Sequence, residues 1–182
     1  MHRLTTADIS RSALFTALIV VGASVTVPIG PVPFTLQVFC VLLAAMLMGP
    51  RLALLSVVAY LALGLVAPVY AGGASGLGTL VGPTGGYLTG FLAAAIITGR
   101  LAKSGPPSAP RLLASGVFGL VPIYLAGTVW LAWQLDLTWG AAVSAGVLPF
   151  VAMDVVKAML AATVARGLVS LPLGLLAPQR DR

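Results

Sequence analysis

An all-α integral membrane protein with six transmembrane helices and both termini in the cytoplasm is the fold class that the sequence predicts. Three observations carry this expectation. Hydrophobic residues make up 59% of the 182-residue chain and charged residues only 8%, with no Glu or Asn anywhere, whereas soluble domains are roughly a quarter charged. With a mean hydropathy of +1.08, the chain carries too few charges to cover a water-facing surface. The apolar residues also gather into six runs, each near the roughly 17–25 residues that a spanning helix needs. Finally, nearly all basic residues fall between alternate runs. The whole chain, 1–182, reads as a single membrane domain.

The six runs are 12–28, 34–49, 52–66, 85–99, 112–133 and 144–169. The first could be read as a signal peptide with Arg3 and Arg11 as its positive region. Multispanning chains commonly keep an uncleaved first helix as their signal, so it is read as a span. The second, third and fourth runs are short, which suggests tilted helices or flanking loops that are partly buried.

Orientation follows from Lys and Arg. Arg3 and Arg11 precede the first run, and Arg51 lies between the second and third. Arg100, Lys103 and Arg111 lie between the fourth and fifth, and Arg166, Arg180 and Arg182 follow or close the sixth. The connections 29–33, 67–84 and 134–143 contain no Lys or Arg. Basic residues are retained on the cytoplasmic side, so both termini are expected inside. The pI near 10.3 would suit nucleic acid, but these cations form no stripe on a soluble face, and no nucleic-acid partner is expected.

The outer connections have their own chemistry. Residues 29–34, Ile-Gly-Pro-Val-Pro-Phe, contain two prolines and a glycine, which favour a tight extended loop over helix. Residues 67–84 are Gly-rich and uncharged. Free backbone amides are too costly to leave in lipid, so this loop is expected over a cavity, offering N–H and C=O groups to a ligand; a plain exterior loop is the alternative. The cytoplasmic stretch 103–111 reads as a linker between two three-helix halves. Gly82, Gly86 and Gly90 recur every four residues, a flat stripe suited to close helix packing, and Ala13 and Ala17 make a weaker pair of the same kind.

Asp154 and Lys157 are the most informative residues. They lie three apart within an apolar run, on one face of a helix, where each partly neutralises the other. A lone charge at bilayer depth costs at least about 2.5–3.5 kcal/mol, so ionisable residues there usually serve function. Either the pair only pins two helices together or it holds a small polar ligand. Other polar groups within the runs are Gln37 and scattered Thr, Ser and Tyr hydroxyls. Cys40 is the only cysteine and His2 the only histidine, which leaves no material for a metal cluster. There is no phosphate-binding G-x-x-x-x-G-K-[ST] motif, so the chain itself is not expected to hydrolyse ATP. No nucleophile–base set or paired carboxylates are evident, and no catalytic residues are expected. The inventory suits hydrogen bonding of an uncharged polar ring.

Three runs in order carry a resemblance to a known family: Gly-Pro-Val-Pro-Phe-Thr-Leu-Gln at 30–37, Leu-Val-Gly-Pro-Thr-Gly-Gly-Tyr-Leu-Thr-Gly-Phe at 80–91, and Pro-Phe-Val-Ala-Met-Asp-Val-Val-Lys at 149–157. The sequence resembles the BioY family, the biotin-specific substrate-binding (S) components of energy-coupling factor (ECF) transporters, over essentially its whole length. The resemblance implies a six-helix bundle with a pocket near the outer face. It implies that Asp154 and Lys157 contact biotin, and that Ala13 and Ala17 dock on a transmembrane coupling subunit. A separate pair of ABC-type ATPases would use the ATP. No cofactor is implied, biotin being the transported substrate, and homo-oligomerisation is left open.

The chemistry of the ligand agrees with these residues. Biotin presents ureido N–H donors, a ureido oxygen and a valerate carboxylate. Asp154 can accept from an N–H and Lys157 can donate to the oxygen, both charge-assisted bonds. Gln37 and Tyr87 are candidates for the ring's polar contacts, and Tyr70 and Phe34 for its apolar faces, with simple packing as the alternative for all four. Thr84 and Gly86, from the run at 82–87, complete the expected ligand set. The outer loops hold no cation for the carboxylate, so backbone amides of residues 72–78, Thr84 or water are expected to meet it. Two other readings stand beside this one: an S component for another vitamin, and a membrane-embedded enzyme using Asp154 and Lys157 as acid and base, which the missing nucleophile argues against.

Overall fold

The computed structural model describes residues 4–170; the expected cytoplasmic Arg3, Arg180 and Arg182 lie outside the described residues. Within them the chain is helical apart from one small hairpin. Its elements are α1 (Thr6–Ser24), β1 (Thr26–Val27), β2 (Phe34–Thr35), α2 (Gln37–Met48), α3 (Pro50–Gly64), a single 3-10 turn (Ala71–Gly73), α4 (Leu77–Val81), α5 (Gly85–Lys103), α6 (Ala109–Gln134), α7 (Trp139–Gly146) and α8 (Val151–Ser170). β1 and β2 pair antiparallel, with Thr26 opposite Thr35 and Val27 opposite Phe34.

Local chemistry explains most of the boundaries. α1 begins at Thr6, well before the expected residue 12, because Thr5 and Asp8 form a capping box: Asp8 N–H donates to Thr5 Oγ1 at 3.2 Å and Thr5 N–H donates to Asp8 Oδ2 at 3.0 Å. That arrangement satisfies amide donors an apolar run leaves open. α2 and α3 are separated by Gly49 at φ +79°, and Pro50 opens α3; a left-handed residue followed by proline ends one helix and starts the next. The run 144–169, expected as one helix, is broken. α7 and α8 meet at 47°, and the break contains Pro149, whose missing N–H and ring bulk oppose a continuous helix.

α2 forms the axis of the bundle. Nearly all of its residues are buried, and α1, α3, α5, α6 and α8 all pack on it. α1, α5 and α6 are each long and apolar enough to cross a membrane, and the bent α7–α8 pair qualifies if taken as one span. α2 and α3, at 12 and 15 residues, fall short of the roughly 20 residues of a full span. The outer flanks of α1, α6 and α8 expose large apolar side chains such as Leu14, Phe118, Leu125, Val129, Met159 and Leu160. Such broad apolar exposure belongs to a lipid-facing surface.

Two kinds of interhelical contact bring the helices together. Between α1 and α3 a knot of small hydroxyls accompanies the apolar packing. Thr16 Oγ1 donates to Ser56 O at 3.1 Å, and Ser56 Oγ donates to Ser12 O at 3.1 Å; such bonds join helices where lipid provides no hydrophobic drive. Between α5 and α6, the largest helix contact, glycine permits close approach. A Cβ at Gly86 would collide with Trp130 Cβ and the Ala126 carbonyl, and one at Gly90 would lie 2.8 Å from Ile123 Cα. A Cβ at Gly82, the third of the expected stripe, would meet only its own turn at Gly78 and Thr79.

Lys157 apart, the described cations and the tryptophans segregate to opposite ends. Arg11, Arg51 and Arg111 sit near the starts of α1, α3 and α6, while Arg100, Lys103 and Arg166 sit near the ends of α5 and α8. By the alternation of the helices these are one end of the bundle. Trp130, Trp133 and Trp139 flank the α6–α7 connection at the other end, and Trp133 and Trp139 are exposed, as side chains of an interfacial aromatic belt are.

The glycine contact generates a testable expectation. Gly90→Ala should force α5 and α6 apart and lower the thermal midpoint of the detergent-solubilised protein, with a cost of roughly 1–3 kcal/mol for overpacking. Gly140→Ala, where nothing lies within 4 Å of the new methyl, should leave it unchanged or raise it. Equal midpoints for the two variants would contradict the close α5–α6 approach.

Candidate ligand-binding site

A cavity of about 250 Å³ lies at the aromatic end of the bundle, under the β1–β2 hairpin and the 65–84 segment. Three helices begin at its edge: α2 at Gln37, α5 just after Thr84, and α8 shortly before Asp154. The break at Pro149 is what makes this possible, since it puts Asp154 in the first turn of α8, the helix end that favours a negative charge. A continuous helix over the run would have buried it mid-span.

Asp154 and Lys157 form a buried ion pair, Lys157 Nζ to Asp154 Oδ1 at 2.6 Å, with each side chain only 6% exposed. The pair has further partners. Lys157 Nζ also donates to Thr35 O of β2 at 2.6 Å, and lies 3.7 Å from the centre of the Phe34 ring, a cation–π contact that desolvation strengthens. Tyr124 of α6 donates its hydroxyl to Asp154 Oδ2 at 2.6 Å. Both charges line the cavity. The set therefore joins α8, α6 and the hairpin in one polar cluster.

The structure sorts the sequence-derived site residues. Gln37, Tyr87 and Thr84 line the cavity with Asp154 and Lys157. Gln37 is already engaged at both ends of its amide: Oε1 accepts from Thr35 Oγ1 at 3.0 Å, and Nε2 donates to Tyr60 OH at 2.6 Å. The Tyr87 hydroxyl donates to Gly146 O at 3.0 Å, which leaves its ring as wall. Gly86 is not among the lining residues; it is turned to α6 under Trp130. Ala13 and Ala17 are exposed on α1, opposite the buried Ser12, Phe15, Thr16 and Ile19, and away from the cavity.

Phe34 and Tyr70, the candidates for apolar covers, also line the cavity. Tyr70 packs edge-on against Tyr60 with centroids 5.5 Å apart, and Gly64 leaves room for its ring. Burial raises the Tyr70 phenol above its ordinary value of 10.0, and its hydroxyl donates to Leu61 O at 2.7 Å. The loop amides are less available than the sequence suggested. Gly72 N–H donates to Thr26 Oγ1 at 3.3 Å, Gly73 N–H to Tyr70 O at 3.0 Å, and Gly76 N–H to Gly64 O at 2.7 Å. These bonds fold the loop on itself and tie it to the hairpin; Thr79 and Thr84 line the cavity on that side.

Two residues of the cluster were not singled out by the sequence, Tyr124 and Tyr60. A tyrosine in the middle of a long apolar run was the available signal, since a buried phenol usually finds a partner. Among the described residues no group of three or more His, Cys, Asp or Glu side chains is placed to hold a metal ion.

A helical membrane bundle with a largely apolar cavity around a buried ion pair at one end matches a known class of transport subunit. The structure aligns with a crystal structure of the S-component for biotin from an ECF-type ABC transporter, at a TM-score of 0.83 and 30% identity, covering 90% of this chain and 91% of that one. Residues 1–172 match the BioY family, and the chain belongs to that family. The biotin transporter BioY of Thermotoga maritima is 46% identical over 157 residues, spanning 85% of this chain and 91% of that protein. The probable biotin transporter BioY of Pyrococcus horikoshii is 44% identical over 162 residues, spanning 88% and 95%.

Proposed function

We propose that this chain captures biotin in the cavity beside Asp154 and Lys157 and serves biotin uptake as the substrate-binding component of an ECF-type transporter. It is a transport component rather than an enzyme, with biotin as cargo and no cofactor. The buried ion pair open to a small cavity, in a chain of the BioY family, carries the proposal.

The residues divide the work. Asp154 keeps lone pairs on both oxygens for ureido N–H donors, and Lys157, with two N–H groups engaged, turns its third from the Phe34 face to the ureido oxygen. Phe34, Tyr70 and Tyr87 enclose the ring's apolar faces. Gln37 acts mainly by holding Thr35, whose carbonyl steadies Lys157. Thr79 and Thr84 face the valerate tail, and Gly86 contributes by letting α5 close on α6. Ala13 and Ala17, exposed and small on α1, form the docking face for the coupling subunit, and a pair of ATPases supplies the energy.

In the cytoplasmic membrane, α1, α2, α3, α5, α6 and the bent α7–α8 pair make six crossings with both termini inside. The basic end of the bundle faces the cytoplasm, and the cavity opens outward beneath the tryptophan-flanked end. Two measurements test this. In a Cys40→Ala background, cysteine placed at the exposed Ser75 should react with an impermeant thiol reagent on whole cells, and cysteine at the exposed Ser104 only after permeabilisation; the reverse pattern would overturn the orientation. Asp154→Asn keeps the shape but leaves Lys157 without its counter-charge, and biotin affinity should fall by at least about 2 kcal/mol. A folded variant binding as tightly as wild type would show the site to be elsewhere.

A further inference from the structure

Within the cluster, Asp154 is held from two sides. Lys157, one turn along α8, occupies Oδ1, and Tyr124, from α6, occupies Oδ2, each at 2.6 Å. The second anchor differs in kind from the first. A carboxylate held by one oxygen still turns about its Cβ–Cγ bond, a soft torsion with broad preference. Held at both oxygens from two separate helices, its plane is fixed. The donor is also well chosen: a phenol hydroxyl has a single proton, and giving it to Oδ2 adds no charge to the cluster. Tyr124 itself is partly buried, lines the cavity, and sits two residues beyond Pro122 within α6.

We propose that Tyr124 is a positioning residue: it fixes the plane of the Asp154 carboxylate so that the remaining lone pairs point at the ligand's N–H donors, and thereby sets selectivity for a cyclic urea over a ring lacking those donors. The inference rests on the ring site proposed above and adds a residue that acts through Asp154. Four acceptor positions on a carboxylate, less the two used by Lys157 and Tyr124, leave two. These are aligned only while both anchors hold. Losing the Tyr124 hydroxyl would leave the charge in place and the pocket the same size, but would free the carboxylate to rotate out of register.

The test separates positioning from packing. Tyr124→Phe keeps the ring and removes the hydroxyl; purified variant and wild type are titrated with biotin and with a biotin analogue methylated on its ureido nitrogens. Biotin affinity should fall by roughly tenfold, the scale of one hydrogen bond to a charged group, while affinity for the methylated analogue changes little, so the preference for biotin narrows. Combined with Asp154→Asn, Tyr124→Phe should cost almost nothing further, because the group it positions is already altered. 4-Fluorophenylalanine in place of Tyr124, which keeps the ring and its length but has no proton to donate, provides the same comparison if the first variant does not fold. Unchanged biotin affinity, an equal loss for both ligands, or full additivity with Asp154→Asn would each overturn the assignment. Failure of the ring site itself would read differently: Asp154→Asn alone would then bind biotin normally.

Discussion

The buried pair of Asp154 and Lys157 is the constraint that the rest of the structure is arranged around. Removing two charges from water costs several kcal/mol each, and their mutual attraction offsets this only with good geometry and further hydrogen bonds. That support comes from two places outside α8. The hairpin supplies the Thr35 carbonyl and the Phe34 ring, and α6 supplies the Tyr124 hydroxyl. The hairpin is thus fastened to the buried ion pair although it contains only two residues per strand.

The helices meet this demand by where they begin. Gln37, Thr84 and Asp154 all lie at or near helix starts, where the backbone dipole and open amides make a polar environment tolerable. Close α5–α6 packing through Gly86 and Gly90 and the α1–α3 hydroxyl knot keep the bundle tight without larger side chains. The polar loops and the cavity therefore share one end of the molecule, and the described cations outside the ion pair share the other. In the proposed reading, that separation keeps capture on the outer side and docking along the α1 flank from interfering with each other.

Much of the helical plan was legible in the sequence because apolar runs and the bilayer's thickness impose it directly. The break between α7 and α8 was not, since the residues around Pro149 are as apolar as those on either side and one proline does not always end a helix. The start of α1 was hidden for the opposite reason: Thr5 and Asp8 are polar and lie outside the apolar run, yet cap the helix. At the site, charges in an apolar stretch drew attention to Asp154 and Lys157, whereas Tyr124 was one hydroxyl among many until α6 was seen to cross α8. Gly86 carried the motif but not the direction it faces. The loop amides of residues 72–76 looked free because sequence does not reveal which carbonyls they bond.

Equilibrium binding of labelled biotin to the purified wild-type chain in detergent examines capture without the coupling subunit or ATPases. Each folded chain should retain one unmodified biotin, displaced by unlabelled biotin but not by thiamine or riboflavin. No retention, displacement by another vitamin at similar concentration, or release of a converted product would contradict biotin capture by this chain.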